Sequence, residues 1–233
     1  MESFETKLGK YYLGDALELI KNLPSNSIDI ILTDPPFGLF KDEFDNEEVF
    51  FKIEDELYRV LKDDAWLVFY YSIKKLMNVF RLKRFKYSWM IIAEFSSTQM
   101  KGVLGDRKYL PILIFRKGKP KVLFRRYDVI PAGELPFVYE FPKDELFKPT
   151  YTTSILLQMF TREGDLVLDP FAGYGSIPIV CEYFNRRWIA FEIDKVKYEI
   201  AKKIITSRKV GNIRKMRMEL RDKVMKRLDE FIT

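Results

Sequence analysis

An apolar strand that runs straight into a glycine turn and then a helix, Leu166-Val167-Leu168-Asp169-Pro170-Phe171-Ala172-Gly173-Tyr174-Gly175-Ser176, leaves this chain few folds to choose from. Glycines let backbone approach a ligand closely, and the following helix presents free N–H groups. The stretch lacks the Gly-Lys-Ser/Thr ending of a phosphate loop, which argues against a nucleoside triphosphate. The next apolar run, Trp188 to Glu192, ends in an acid. In a doubly wound sheet a carboxylate about twenty residues beyond the glycines is placed to bind a ribose diol. The plainer reading of Glu192 is a helix cap.

The rest of the chain keeps the same alternation of short apolar runs and amphipathic ones, the mark of a mostly parallel sheet covered by helices. Strands are expected at 11–13, 28–33, 65–71, 87–95, 109–116, 166–169 and 188–192. Helices are expected from Asp15, then at 46–62, 74–84, 150–161, 175–184 and 195–208. The expectation is a single domain over 1–233, with a seven-stranded mixed sheet. Residues 117–147 form an irregular basic insertion. Residues 211–233 form a basic helix with an apolar stripe at Ile213, Met216, Leu220, Val224, Leu228 and Phe231.

A second constellation is Ile30-Ile31-Leu32-Thr33-Asp34-Pro35-Pro36-Phe37. A strand ends in a carboxylate, two prolines fix the turn, and an aromatic follows. The Asp34 carboxylate and the Pro35 carbonyl are two fixed acceptors, as an amino group with two hydrogens requires. Phe37 offers a face for the ring that bears the amine. An exocyclic amine is a poor nucleophile, and acceptors that orient it act by positioning and electrostatics. A strand ending this way is also compatible with a plain loop.

Composition removes other chemistries. The chain has no histidine, so triads and His-ligated zinc are excluded. Its single cysteine, Cys181, permits neither an internal disulfide nor a cysteine cluster. It lies far in sequence from Asp34, which sets aside a covalent thiolate route. No apolar run reaches membrane-spanning length, and the first residues do not resemble a signal peptide, so a cytoplasmic protein is expected. The net charge of +6 is uneven. Residues 1–60 hold fourteen acids against six bases, whereas 101–130 hold nine bases against two acids. That basic stretch, interleaved with aromatics, suits a polyanion, and a solvated surface explains it equally well.

Together, Asp34 to Phe37 and Asp169 to Ser176 resemble the amino-group DNA methyltransferases that make N6-methyladenine or N4-methylcytosine. The catalytic motif precedes the cofactor motif, as in the circularly permuted β group. Tyr12 to Leu17 is similar to that family's Gly-Asp segment, and Phe147 to Thr150 to its Lys-Pro segment. The resemblance implies a Rossmann-like class I methyltransferase fold, S-adenosylmethionine as cofactor and DNA as partner. It implies that Phe171, Gly173, Gly175 and Ser176 wrap the methionine part, with Asp169 in the same cofactor set. Glu192 would take the ribose hydroxyls, Asp15 would lie near the cofactor's adenine, and Lys148 to Thr150 near its carboxylate. Asp34, Pro35, Pro36 and Phe37 would hold the extruded base. Arg107, Lys108, Arg116, Lys117, Lys119, Lys121, Arg125 and Arg126 would contact DNA.

Two departures stand out. The strand at 109–116 opens Tyr109-Leu110-Pro111, where the family often has a His-Glu pair, and the recognition section is short. Asp34 at the head of its motif favours adenine, since a leading Ser tends to accompany cytosine in the family. The alternatives are N4-cytosine, an RNA base or protein glutamine, and a catalytically silent DNA-binding module. Further partners in view are a second copy of the chain, through the C-terminal helix, and a cognate restriction endonuclease.

Overall fold

Strands with no polar alternation are buried on both faces, and three such runs form the middle of the sheet. A computed structural model of the protein describes residues 2–39, 44–96, 100–101, 105–133 and 148–207. The expected C-terminal helix and the later half of the basic insertion lie outside these residues.

The strands are β1 (Ser3–Glu5), β2 (Gly9–Leu13), β3 (Ile28–Thr33), β4 (Leu61–Tyr70), β5 (Lys86–Glu94), β6 (Met100–Lys101), β7 (Asp106–Arg107), β8 (Tyr109–Lys117), β9 (Val129–Pro131), β10 (Leu166–Asp169) and β11 (Arg187–Glu192). Nine of them form one sheet in the order β1-β2-β11-β10-β3-β4-β8-β5-β9, and β6 and β7 pair separately. From β2 to β4 the strands are parallel, and β8 runs antiparallel between β4 and β5. This is the Rossmann-like mixed sheet with the permuted strand order. Its seven expected strands are all present. The two additions, β1 and β9, are three-residue edge strands too short to leave a pattern in the sequence.

The helices are α1 (Ala16–Leu19), α2 (Glu48–Lys52), α3 (Glu54–Val60), α4 (Thr150–Phe160), α5 (Ser176–Tyr183) and α6 (Lys195–Ser207). The first three cover one face, where Ile20, Phe50 and Leu57 meet Ile31, Leu67 and Phe69. The other three cover the opposite face, where Leu156, Ile179 and Ile204 meet Ile30, Val68 and Val167. Along β4 the side chains alternate between these two cores, as the strand period of two demands.

Two expected helices need correction. The helix expected over 46–62 is two short helices, and it stops at Val60 because Leu61 already pairs with Ile28. Lys62 binds Asp29 at 2.6 Å, which draws the polar start of β4 into the sheet. The helix expected at 74–84 is a 3₁₀ helix over Ile73–Arg81. In that geometry residues three apart eclipse one another. Lys75 and Asn78 both reach Glu47, and Arg81 reaches Glu48, so one edge of the helix meets the acids at the start of α2.

Candidate active site

β3 and β10 are parallel neighbours, with Val167 beside Ile30 and Leu168 beside Ile31. Both strands therefore end at the same edge of the sheet, which brings the Asp34 turn and the glycine turn together. A cleft of about 370 Å³ opens there, lined by both turns and by Asp15, Asp45, Lys148 and Glu192. In open α/β sheets ligands bind in the crevice outside the carboxyl ends of the strands.

The two glycines of the turn do different things. Gly173 has φ +56°, and a Cβ built on it would meet no atom within 4 Å. Its N–H donates to Glu192 Oε2 at 2.7 Å and its carbonyl accepts from the Tyr11 hydroxyl at 2.7 Å. The turn is thus held from both sides with its open face toward the cleft. Gly175 has φ +81°, and a Cβ there would lie 2.9 Å from Ile205 Cδ1 and 3.3 Å from Ala201 Cβ. It lets the start of α5 pack against α6 and is not among the residues lining the cleft. Ser176 and Thr150 are buried and likewise do not line it.

Glu192 ends β11 inside the cleft. Its Oε1 accepts from the Asp194 N–H at 2.8 Å, and Oε2 from Gly173. Each oxygen keeps a further lone pair for a hydroxyl donor. Burial raises the affinity of this carboxyl for its proton, and the nearby Lys197 ammonium opposes the shift. Asp15 caps α1, accepting from the Leu17 N–H at 2.9 Å, and also lines the cleft. Asp15 is thus both a helix cap and part of the cleft wall.

Asp169 is different. It is buried and outside the cleft lining, and its Oδ1 accepts from the Thr33 hydroxyl at 2.7 Å and the Phe171 N–H at 3.3 Å. It ties the ends of β10 and β3 together. Burial, reinforced by the charges of Asp34 and Glu192, pushes its carboxyl up to about 8 against the pull of those two hydrogen bonds.

Asp34 and Pro35 to Phe37 face the glycine turn across the cleft. The Lys148 ammonium sits 2.7 Å from Asp34 Oδ2. Phe37 packs edge-on against Tyr71 at 5.9 Å. Asp45, which sequence reasoning missed, clamps the turn: its carboxylate accepts from the N–H groups of Phe37, Gly38 and Leu39 at 2.7–2.9 Å. Tyr11 was missed too, because only the folded sheet shows that its hydroxyl reaches Gly173. Cys181 is buried within α5, where burial pushes its thiol well up, and it does not reach the cleft.

The eight basic residues are not one surface. Arg107 and Lys108 precede β8 at the cleft end, beyond Ile112, which pairs with Tyr70. Lys117 pairs with Ala65 at the opposite end of the sheet, and Arg116, Lys119 and Lys121 lie around it. As a DNA contact Lys117 needs correction. It is buried, donating to Asn26 Oδ1 at 2.9 Å and to the Leu61 carbonyl at 2.7 Å, and it pairs with Asp63 at 3.0 Å. Arg125 and Arg126 are exposed near the outer edge, just before Asp128, which bonds Trp89 and Ile92 of β5.

The sheet order and a glycine-turn cleft at the strand ends define a class I methyltransferase fold. The protein family described as DNA methylase matches residues 145–203. The type II methyltransferase M.HpaI of Haemophilus parainfluenzae is 28% identical, over 83% of this chain and 73% of its own length. The DNA adenine methyltransferase YhdJ of Escherichia coli is 27% identical, over 78% of this chain and 77% of its own. Among solved structures, the PvuII DNA methyltransferase (cytosine-N4-specific) superposes with a TM-score of 0.70 at 20% identity, covering 84% of this chain and 86% of that one. The chain is similar to the amino-group DNA methyltransferases and has the fold, with its permuted strand order, of the β group of those S-adenosylmethionine-dependent enzymes.

Proposed function

We propose that the chain methylates the exocyclic N6 amine of adenine in DNA. The observation that carries this is the meeting of Asp34 and Pro35 with the open face of Gly173 across one cleft. The cleft fits S-adenosylmethionine. Gly173 gives close approach without a side chain, Glu192 keeps acceptor capacity for a ribose diol, and Phe171 supplies an apolar wall. The bound cofactor supplies an electrophilic methyl on a sulfonium.

Asp34 and the Pro35 carbonyl accept the two amine hydrogens, which turns the nitrogen lone pair toward the cofactor side. Phe37 presents a ring for the base, and Asp45 holds that turn rigid against its three N–H groups. As the N–C bond forms, the methyl–sulfur bond would break to leave a neutral thioether, and the positive charge passes to nitrogen beside the Asp34 carboxylate, a fixed charge in a water-poor site. The amine then loses a proton, with Asp34 as the adjacent acceptor.

Asp34 at the head of the motif and the adenine activity in the name of YhdJ support adenine. The name of the PvuII enzyme supports the second reading, N4 of cytosine, which uses the same geometry. Arg107 and Lys108, which precede β8 at the cleft end of the sheet, support a DNA contact there. Two further partners rest on sequence alone: a second copy through the apolar face of 211–233, and a cognate restriction endonuclease. Incubation with labelled S-adenosylmethionine and unmethylated DNA, followed by mass spectrometry of the nucleosides, tests the reading. N6-methyladenine is expected. N4-methylcytosine establishes the second reading, and no labelled base overturns both.

A further inference from the structure

Lys148 stands where the electrostatics of its own helix do not favour it. It lies just before Pro149 and the first residue of α4, and the N-terminal end of a helix disfavours a cation. The helical conformation is disfavoured for a residue that precedes proline, so Lys148 stands outside α4. The ammonium lands 2.7 Å from Asp34 Oδ2, with the rings of Phe37 at 5.4 Å and Tyr70 at 5.9 Å. Tyr70 is itself anchored, its hydroxyl 2.8 Å from Thr153 Oγ1. The Lys148 side chain is 12% exposed and that of Asp34 27%, so the pair forms part of the cleft wall with little water around it.

We propose that Lys148 is a specificity-determining residue that donates to the ring nitrogen next to the target amine. This rests on the reaction read above. An ammonium has three donors and a carboxylate about four acceptor sites, so each keeps capacity after bonding the other. Asp34 and Lys148 therefore present an acceptor beside a donor, one hydrogen bond apart, against the Phe37 ring. Adenine offers the complement, the N6 amine beside the unprotonated N1, and cytosine offers the same with N4 and N3. Guanine and thymine offer a carbonyl oxygen beside a ring N–H, which meets acceptor with acceptor and donor with donor. Reading an extruded base on this edge, with an aromatic at its face, is the mode open to enzymes that act on flipped bases. A donor at N1 draws electron density from the amine, so Lys148 selects and places the base and does not activate it.

The test changes one atom of the substrate. Duplex carrying 1-deazaadenine at the mapped methylation site keeps the amine and replaces N1 with C–H. Wild-type kcat/KM should fall on the order of tenfold to a hundredfold, the worth of one charge-assisted hydrogen bond. Lys148→Met should treat adenine and 1-deazaadenine alike, while still binding the cofactor product in calorimetry. Equal rates of the wild type on both bases overturn the inference, and that arm needs no folded variant. A variant that still discriminates, or one that is folded and no longer binds the cofactor product, also overturns it. A wild type that methylates no adenine at all instead overturns the reaction on which the inference rests.

Discussion

Alanine at Gly173 and at Gly175 should separate two roles that a glycine-rich turn merges. Both residues have positive φ, +56° and +81°, so either alanine carries a left-handed strain of about 1–2 kcal/mol. At Gly175 the new methyl also meets Ile205 Cδ1 at 2.9 Å and Ala201 Cβ at 3.3 Å in a closed core. Overpacking of that kind adds about 1–2 kcal/mol. Gly175→Ala should therefore lose about 2–4 kcal/mol in all. For a chain of this size that lowers Tm by roughly 5–15 °C. Cofactor-product affinity should stay within a few-fold, because the methyl points at α6 and not at the cleft.

At Gly173 the same methyl meets nothing within 4 Å and projects into open space. Gly173→Ala should lose only the strain, about 1–2 kcal/mol, while weakening the cofactor product by tenfold or more through lost close approach. Thermal unfolding and isothermal calorimetry on the two variants are the assays. A Gly175→Ala protein of unchanged Tm that no longer binds would put that residue in the cofactor cradle and refute the reasoning. So would a Gly173→Ala protein that binds normally.

Asp34→Ala should abolish methyl transfer while the cofactor product binds with at most a modest loss; a folded variant that fails to bind would move Asp34 to the cofactor site. Charge reversal at Arg107 and Lys108 should weaken all DNA sequences alike and lower the slope of log affinity against log salt by about two, whereas reversal at Arg125 and Arg126 should change it less. The opposite order would place DNA on the outer edge of the sheet. Asp169→Asn bears on pH. With its carboxyl at about 8, native Asp169 keeps a proton that the unfolded chain releases near pH 4, roughly the free Asp value. Stability from this group is full below that value and falls as pH rises toward 8, by up to about 1.4 kcal/mol per unit. Urea unfolding between pH 5 and 8 should show a flatter dependence in the Asn variant, and an unchanged slope would mean that Asp169 is ionised in the fold.

Much of the fold was legible because the central strands are apolar on both faces. Ile28–Thr33 and Leu166–Asp169 were placed to the residue. Where the residues are polar, tertiary partners decide, and local pattern failed. Leu61-Lys62 reads as a helix end and is strand, because Leu61 pairs with Ile28 and Lys62 with Asp29. The basic cluster misled for a geometric reason. β8 spans nine residues, roughly 30 Å at about 3.4 Å per residue. It therefore carries bases that are close in sequence to opposite ends of the molecule. Charge counted along the chain cannot distinguish those ends.

The site was legible for a reason that also explains why its motifs tolerate an altered order. Thr33 and Asp169 are 136 residues apart in sequence, yet one hydrogen bond of 2.7 Å joins them. What the cleft needs is that β3 and β10 lie side by side and end together, and strand pairing supplies both. The connections that lead from one strand to the other do not enter the geometry at Asp34 or Gly173. A permuted chain thus builds the same cleft, provided that each strand keeps its own terminal turn. Asp34 to Phe37 follows β3 directly and Pro170 to Gly175 follows β10 directly, so each motif is local even though the site is not. Lys148, Asp45 and Tyr11 belong to the other kind of residue. They reach the site from different elements, and only the folded sheet shows which atoms they meet.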